Sequence, residues 1–278
     1  VVMRDVSDSF KESCNEYVVR SQFKLFFSSR RGGEVLVELG IADVVENSLV
    51  ITSMATGASY FTIGSACTSK LTFTLTRDAV DKLTAVAALS KGMWVRVGQY
   101  NLVNDGAQDE NDYSNGGSYT LGTCKMGSFF IYDIKNTDYK CDVVCYDSML
   151  DFDKNVSQAE LQYMQENTKT IDGWCSYFCE RCSNTNNILS YVRTSPIANE
   201  TLEVCLSYDS EVNTFREAIE FIAMLAGGFA TVTVDGELTI KTFSRESVSI
   251  GSHVGLMEGS FEKNISIISG FYTTVAGF

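Results

Sequence analysis

The sequence predicts an α+β protein in which short antiparallel strands come first and helices with a β-hairpin follow. Three observations carry this expectation. Apolar and polar residues alternate with period two through much of the first 146 residues, the spacing lengthens to that of a helix after Asp147, and an apolar helix near residue 220 runs into a Gly-Gly pair and an Asp-Gly hairpin. With 278 residues, 45% apolar and 21% charged, the chain is long enough to bury a core without staples.

Two strands stand out. Val35, Val37, Leu39 and Ile41 form one period-two series; Leu71, Phe73 and Leu75, alternating with Thr72, Thr74 and Thr76, form another. Further runs at 20–27, 48–52, 93–100, 129–135 and 139–146 are separated by Gly, Asn, Asp and Ser, the spacing of a barrel or sandwich. Helical spacing of Val80, Leu83, Val86 and Ala87 places one helix over 78–90. The stretch 101–122, containing DGAQDENDYSNGG, reads as a surface loop; its acids do not follow the ligand order of an EF-hand.

Beyond Asp147 the signals are helical. Ser157 with Glu160 is a capping box, followed by Leu161, Met164, Thr168 and Ile171 at helical intervals. Ile171, Trp174, Cys175, Phe178, Cys179 and Cys182 share one face of a second helix. Thr214 with Glu217 opens a third, on which Phe215, Ala218, Ile219, Ile222 and Leu225 face one way while Phe221, Ala223 and Met224 make the other side apolar too. That pattern predicts burial nearly all round. Gly227 and Gly228 end the helix, and two alternating strands follow about a two-residue Asp235-Gly236 turn. Residues 262–278 read as two more strands about Ser269-Gly270, with the sequence ending inside a domain.

Composition removes several functions. A net charge of −13 disfavours a nucleic-acid binder, whose affinity comes from clustered Lys and Arg. No run approaches the length of a membrane span, and the first residues lack a secretory pattern. Nine cysteines, an odd number, read as reduced small hydrophobes. The sharpest contrary signal is Cys175, Cys179 and Cys182, whose C-x3-C-x2-C spacing is like the cluster-binding loop of radical-SAM enzymes; a zinc site would need a fourth ligand, for which Cys205 is nearest. Against both, the three thiols share a helical face with Trp174 and Phe178. His253, the one histidine, falls in a Gly/Ser-rich connection, and no nucleophile elbow, Walker loop or dinucleotide turn occurs. Asp151 and Asp153 are an acid pair of the kind found on solvated faces. No catalytic residue and no cofactor is assigned, and the chain is read as no enzyme.

The order of the pieces adds a resemblance. Residues 63–67 (IGSAC) precede KLTFTL; then come Gly127, Phe129 and Ile131 in a G-x-F-x-I strand, Tyr146, Asp147 and Met149 in a Y-D-x-M segment, the helix capped by Thr214 and Glu217, and Asp235, Gly236 and Leu238 in a D-G-x-L hairpin. Over 35–278 this resembles the hub domain of phage tail-tip proteins, a family including the N-termini of tail-associated lysins and the baseplate hubs of contractile tails and tailocins. The acidic insertion near 101–117 and the incomplete final part depart from that pattern.

The resemblance implies a ring-forming homotrimer with tube-like β-barrel domains and an inserted α/β domain: a first barrel over 1–147, the insertion over 148–243, and a truncated second barrel from 244 to 278. It implies a structural hub joining the hexameric tail tube to the tip or baseplate, in a virion or tail-like particle assembled in the bacterial cytoplasm. Expected partners are further copies of the chain, tail-tube and distal-tail or baseplate proteins, a tape-measure protein, a spike, and DNA passing without specific binding. Some acids among Glu34, Glu38, Asp78 and Asp81 are expected to face the channel. The alternatives are a metal enzyme on Cys175, Cys179 and Cys182, or the base of a tail-tip peptidoglycan hydrolase.

Overall fold

The computed structural model describes residues 19–53, 63–87, 89–103, 122–194, 196–197, 199–206 and 212–242. The strands expected over 262–278, the barrel expected from 244, His253 and most of the acidic loop lie outside the described residues.

Seven strands form one antiparallel sheet: β1 (Val19–Ser28), β2 (Val37–Leu39), β3 (Val50–Thr52), β4 (Lys70–Thr76), β5 (Trp94–Val103), β6 (Gly122–Asn136) and β7 (Lys140–Tyr146), in the order β2-β1-β5-β6-β7-β4-β3. Its inner face carries Leu25, Phe27, Leu39, Leu71, Phe73, Leu75, Val95, Val97, Phe129, Ile131, Val143 and the thiols of Cys141 and Cys145, all buried in one core. Period-two alternation produces this face. It survives on β6 through two bulges, where Met126 and Tyr132 have no partner in the register. Each extra residue re-aims the strand, so that Met126, Phe129, Ile131 and Ile134 all meet the core although their spacing is uneven.

The sheet rolls around this core without closing into the expected barrel. β2 and β3, each three residues long, are its edges and do not pair with one another. Between them the chain makes a 3-10 turn, Ile41–Asp43, in which the Asp43 carboxylate accepts the Gly40 N–H at 2.9 Å; Val45 N–H then donates at 2.8 Å to Thr74 O on β4, the neighbour of edge strand β3. Helix α1 (Arg77–Val86) packs on β2, β4 and β7, and Lys82 reaches Asp43 at 2.5 Å. Its Ala79 and Leu83 are buried in the sheet's core. This turn also shortens the period-two series at 35–41: Val35 is 38% and Ile41 56% exposed.

After β7 a second core begins. It joins a 3-10 segment (Ser148–Asp153), α2 (Gln158–Glu166), α3 (Ile171–Cys182), α4 (Phe215–Leu225) and the hairpin β8 (Gly228–Val232) with β9 (Leu238–Thr242). The caps expected at Ser157 and Thr214 are both formed, each side chain accepting from the N3 backbone and each N3 Glu reaching back. Each such cap stabilises its helix by about 1 kcal/mol. The helical spacing that carried Leu161 through to Ile171 is interrupted: α2 stops at Glu166, Lys169 and Val204 exchange backbone bonds at 3.0 and 3.1 Å, and Thr170 caps α3.

Two further expectations are corrected. The α4 helix is not buried all round, since Phe221 and Met224 are 37% and 50% exposed; beside Met224 it meets the backbone of Gly64, which has no side chain. The hairpin turn has three residues, 234–236, inside the pair closed by Thr233 N–H to Glu237 O at 2.8 Å. Gly236 at φ +91 takes the left-handed place such a loop requires. Segment 64–66 adds to the outer edge of β8 and segment 190–192 to that of β9, so the hairpin sits inside a four-stranded arrangement.

Candidate functional site

Most of the residues quoted for the sequence resemblance meet where the sheet joins the second core, while Thr214 and Glu217 cap α4 beside Asn155. Ser28, Trp94 and Ser128 lie on the sheet face opposite its own core and are nonetheless buried, and the hairpin tip meets this face at Ser128. Ser128, between Gly127 and Phe129 on β6, donates its hydroxyl to Val234 O at 3.0 Å; Lys125 pairs with Asp235 at 2.7 Å. Gly127 sits at φ +147 beside the Phe129 ring, where a Cβ would come within 2.8 Å. A Cβ at Gly236 would come within 2.8 Å of the Arg31 side chain and 3.5 Å of Ser148 Oγ. Leu238, fully buried, anchors the returning strand.

Asp147 turns the chain from one core into the other. Its carboxylate accepts Met149 N–H at 3.0 Å, capping the 3-10 segment, and Ser69 N–H at 2.8 Å. Tyr146 ends β7 against Tyr132, ring centroids 5.2 Å apart, and Met149 and Phe152 enter the second core. Burial pushes the Asp147 carboxyl up to about 6, although the bonds from Ser69 and Met149 and the Arg216 charge pull the other way. Arg31, in the β1–β2 connection, donates to Gly236 O, Ile188 O and Ser190 Oγ, and burial lowers its pKa. It ties the sheet to the hairpin tip and to the loop after α3.

No protein-family model matches the chain, and no curated protein does. Among solved structures it is similar to the 43 kDa tail protein of prophage MuSo2 from Shewanella oneidensis, with 12% identity and a TM-score of 0.43 over 79% of this chain and 52% of that one. The chain thus spans about half the length of that protein.

The three clustered cysteines line the core. Cys175, Cys179 and Cys182 are at most 5% exposed and pack with Trp174, Phe178 and the α4 face. Burial pushes Cys179 and Cys182 up to about 12 and Cys175 well above its ordinary value, which disfavours the thiolate that a metal needs. Cys205 is exposed, and among the described residues no group of three or more His, Cys, Asp or Glu is placed to hold a metal ion.

All four acids singled out for a channel are exposed, and none is drawn into the joint. Glu38, on edge strand β2, pairs with Lys24 at 2.5 Å; Asp81 pairs with Arg77 along α1 at 3.4 Å; Asp78 sits in the first turn of α1, and Glu34 lies between β1 and β2. Asp151 accepts from Asn187, and Asp153 pairs with Arg216 at 2.7 Å.

A shallow groove of about 590 Å³ runs over α2 and α3, lined by Glu160, Tyr163, Lys169, Ser176, Tyr177 and Arg181 among others. Its cations are engaged. Arg181 holds Glu160 at 2.6 Å, and the Lys169 ammonium lies 5.7 to 6.0 Å from the centroids of Tyr163, Trp174 and Tyr177. The arrangement stiffens the α2–α3 corner. Sequence reasoning missed Arg31, Trp94, Asn187 and Arg216, whose roles depend on contacts across long chain separations. Only the RRGG turn around Arg31 carried a local signal.

Proposed function

We propose that this chain is a structural subunit at the tip of a phage-type tail tube, a homotrimer that joins the hexameric tube to the tip or baseplate around a channel, without catalytic activity of its own. The observation that carries the reading is the convergence of the quoted motifs on one joint. Gly127 to Ile131, Tyr146 to Met149 and Asp235 to Leu238 are distant in sequence, yet they meet through the Ser128–Val234 bond and the packing of Gly236 beside Ser148. Residues that fasten a rolled sheet to a helical brace serve a part whose shape is its function.

In this reading the sheet of 1–147 supplies wall, 148–243 is a brace carried outside it, and a second wall domain begins in 244–278. Some of the carboxylates among Glu34, Glu38, Asp78 and Asp81 face the lumen, where they repel the phosphates of passing DNA and prevent it from sticking. The partners are two further copies, the tail-tube and distal-tail or baseplate proteins, a tape-measure protein and a spike, within a virion or tail-like particle.

Mass photometry with metal analysis, followed by electron microscopy of the particle that contains the chain, tests this. A metal-free trimer or a particle-bound ring with three-fold symmetry is expected. A monomer at every concentration carrying stoichiometric iron or zinc overturns the proposal.

A further inference from the structure

The corner between α2 and α3 is walled by aromatic rings. Tyr163, near the end of α2, and Tyr177, in the middle of α3, stack with ring centroids 5.0 Å apart and planes 19° from parallel. Trp174 meets both rings edge-on, at 6.5 and 5.7 Å. Trp174 is fully buried and Tyr163 is 37% exposed. The indole is therefore a fixed base, and the stacked phenols are the part that reaches the groove of about 590 Å³. That volume falls within the range of small-ligand sites.

Small residues complete the lining. Ala159, Gly173 and Ser176 border the groove, and Gly173 stands inside α3, where glycine weakens a helix relative to alanine. A Cβ there would come within 3.2 Å of Lys169 Cβ and 3.3 Å of Thr170 Oγ1. The bare backbone leaves room for the Lys169 stem, whose ammonium lies by the rings of Tyr163, Trp174 and Tyr177.

Charge in the groove is balanced, Lys169 and Arg181 against Glu160 and Glu180. Arg181 and Glu160 are paired with each other at 2.6 Å. Among the described residues, the Lys169 ammonium, the Ser176 hydroxyl, the Glu180 carboxylate and the phenols of Tyr163 and Tyr177 make no hydrogen bond. Uncommitted donors and acceptors thus stand beside exposed ring surface, with no net charge to favour an anion or a cation.

We propose that this groove binds a neutral carbohydrate, a disaccharide-sized part of a glycan, seated on the Tyr163–Tyr177 stack. A pyranose presents what such a lining recognises: a face of C–H groups and a rim of hydroxyls that each donate and accept. The C–H face packs on the tyrosine rings. The hydroxyls donate to Glu180 and accept from Lys169, while Ser176 and the two phenols can do either. The site holds sugar without cleaving it. Glu160 is committed to the Ser157 cap and to Arg181, so Glu180 lacks the second free carboxylate that glycoside hydrolysis uses. This holds whether or not the chain forms a tail ring.

Carbon NMR of the tyrosine rings in the full chain, titrated with maltose, cellobiose and diacetylchitobiose and with inorganic phosphate and choline as charged controls, tests the site. At least one disaccharide should move the Tyr163 and Tyr177 signals saturably, with a Kd of about 1–10 mM, and neither control should. Tyr163→Ala should weaken that binding about tenfold or more, and Glu180→Gln severalfold. Tyr132→Ala, at an exposed tyrosine of the sheet, should leave it unchanged. The proposal is overturned if no disaccharide moves the two signals by about 50 mM, if phosphate or choline moves them more strongly, or if Tyr163→Ala binds as well as the unaltered chain. Should Tyr163→Ala not fold, Glu180→Gln at its exposed position decides: weakened binding supports the site, and unweakened binding overturns it.

Discussion

Gly228, at the start of β8, faces the carbonyl of Lys241 on β9 so closely that a Cβ would lie 2.2 Å from that oxygen. The two strands pair here, Gly228 with Thr242 and Phe229 with Lys241, and α4 enters directly from the other side through Gly227. Neither backbone can retreat without moving the helix or breaking the ladder. Gly228→Ala is therefore expected to cost about 2–4 kcal/mol. Gly227→Ala is the control: at φ +70 with nothing within 4 Å, it carries only the left-handed backbone penalty of about 1–2 kcal/mol. Urea midpoints at constant m-value measure both; equal losses would mean that the close approach does not exist.

Arg31 supports the hairpin tip from across the joint. Its guanidinium satisfies the carbonyls of Gly236 and Ile188 and reaches Ser190, so Arg31→Met leaves acceptors without donors and should cost roughly 2 kcal/mol. Lys24→Met removes an exposed pair with Glu38 and should cost less than about 1 kcal/mol. Exchange at Gly236 should quicken in the first variant and stay unchanged in the second. The idea fails if the Lys24 variant loosens the tip as much.

What the sequence made legible was local. The limits of α3, the two capping boxes and the glycine end of α4 could be read because each rests on neighbours within a turn. The alternation of Leu71, Phe73 and Leu75 likewise exposed the face of β4. Where a long-range contact decides, local signals misled. Ile41 continues the alternation of Val37 and Leu39, yet the Asp43 cap on Gly40 turns it into solvent, and the sheet stays open there. Phe221 and Met224 suggested a helix covered on all sides, but both stay partly exposed, and the neighbour that meets Met224 is Gly64, which has no side chain. Within the joint, the motif residues were visible as a pattern of order, while Arg31 and Arg216 were not, because a guanidinium that bridges distant carbonyls leaves no periodic trace.

The cysteines offer a direct test of the metal alternative. With Cys175, Cys179 and Cys182 buried among Trp174 and Phe178 and their thiols raised by burial, a thiol reagent at pH 7.5 should label exposed Cys205 quickly in the native chain and reach these three only on unfolding. Cys175→Ala should cost about 1 kcal/mol through a small cavity, and Cys175→Ser more, since its hydroxyl would be buried without a prepared partner. Rapid labelling of all three in the folded protein, quenched by added zinc, would restore the metal reading.

Two buried carboxylates should pull stability in opposite directions with pH. Burial would raise Glu160, but the Ser157 N–H and hydroxyl and the Arg181 guanidinium outweigh it and hold its carboxyl below the ordinary value. Its contribution is present above the unfolded value and is lost as acid protonates the folded carboxylate. Asp147 behaves the other way: raised to about 6, it favours the folded state fully below the unfolded value of about 4, and that gain disappears as pH rises through 6. For this buried group the difference between pH 4 and pH 7 is about 2 kcal/mol. Asp147→Asn should therefore flatten the decline in stability between pH 5 and pH 7, while Glu160→Gln should lower stability at pH 7 and soften the loss below pH 4.5. Denaturant midpoints of the three proteins across that range measure it. The assignment fails if Asp147→Asn leaves the decline between pH 5 and pH 7 as steep as in the unaltered chain.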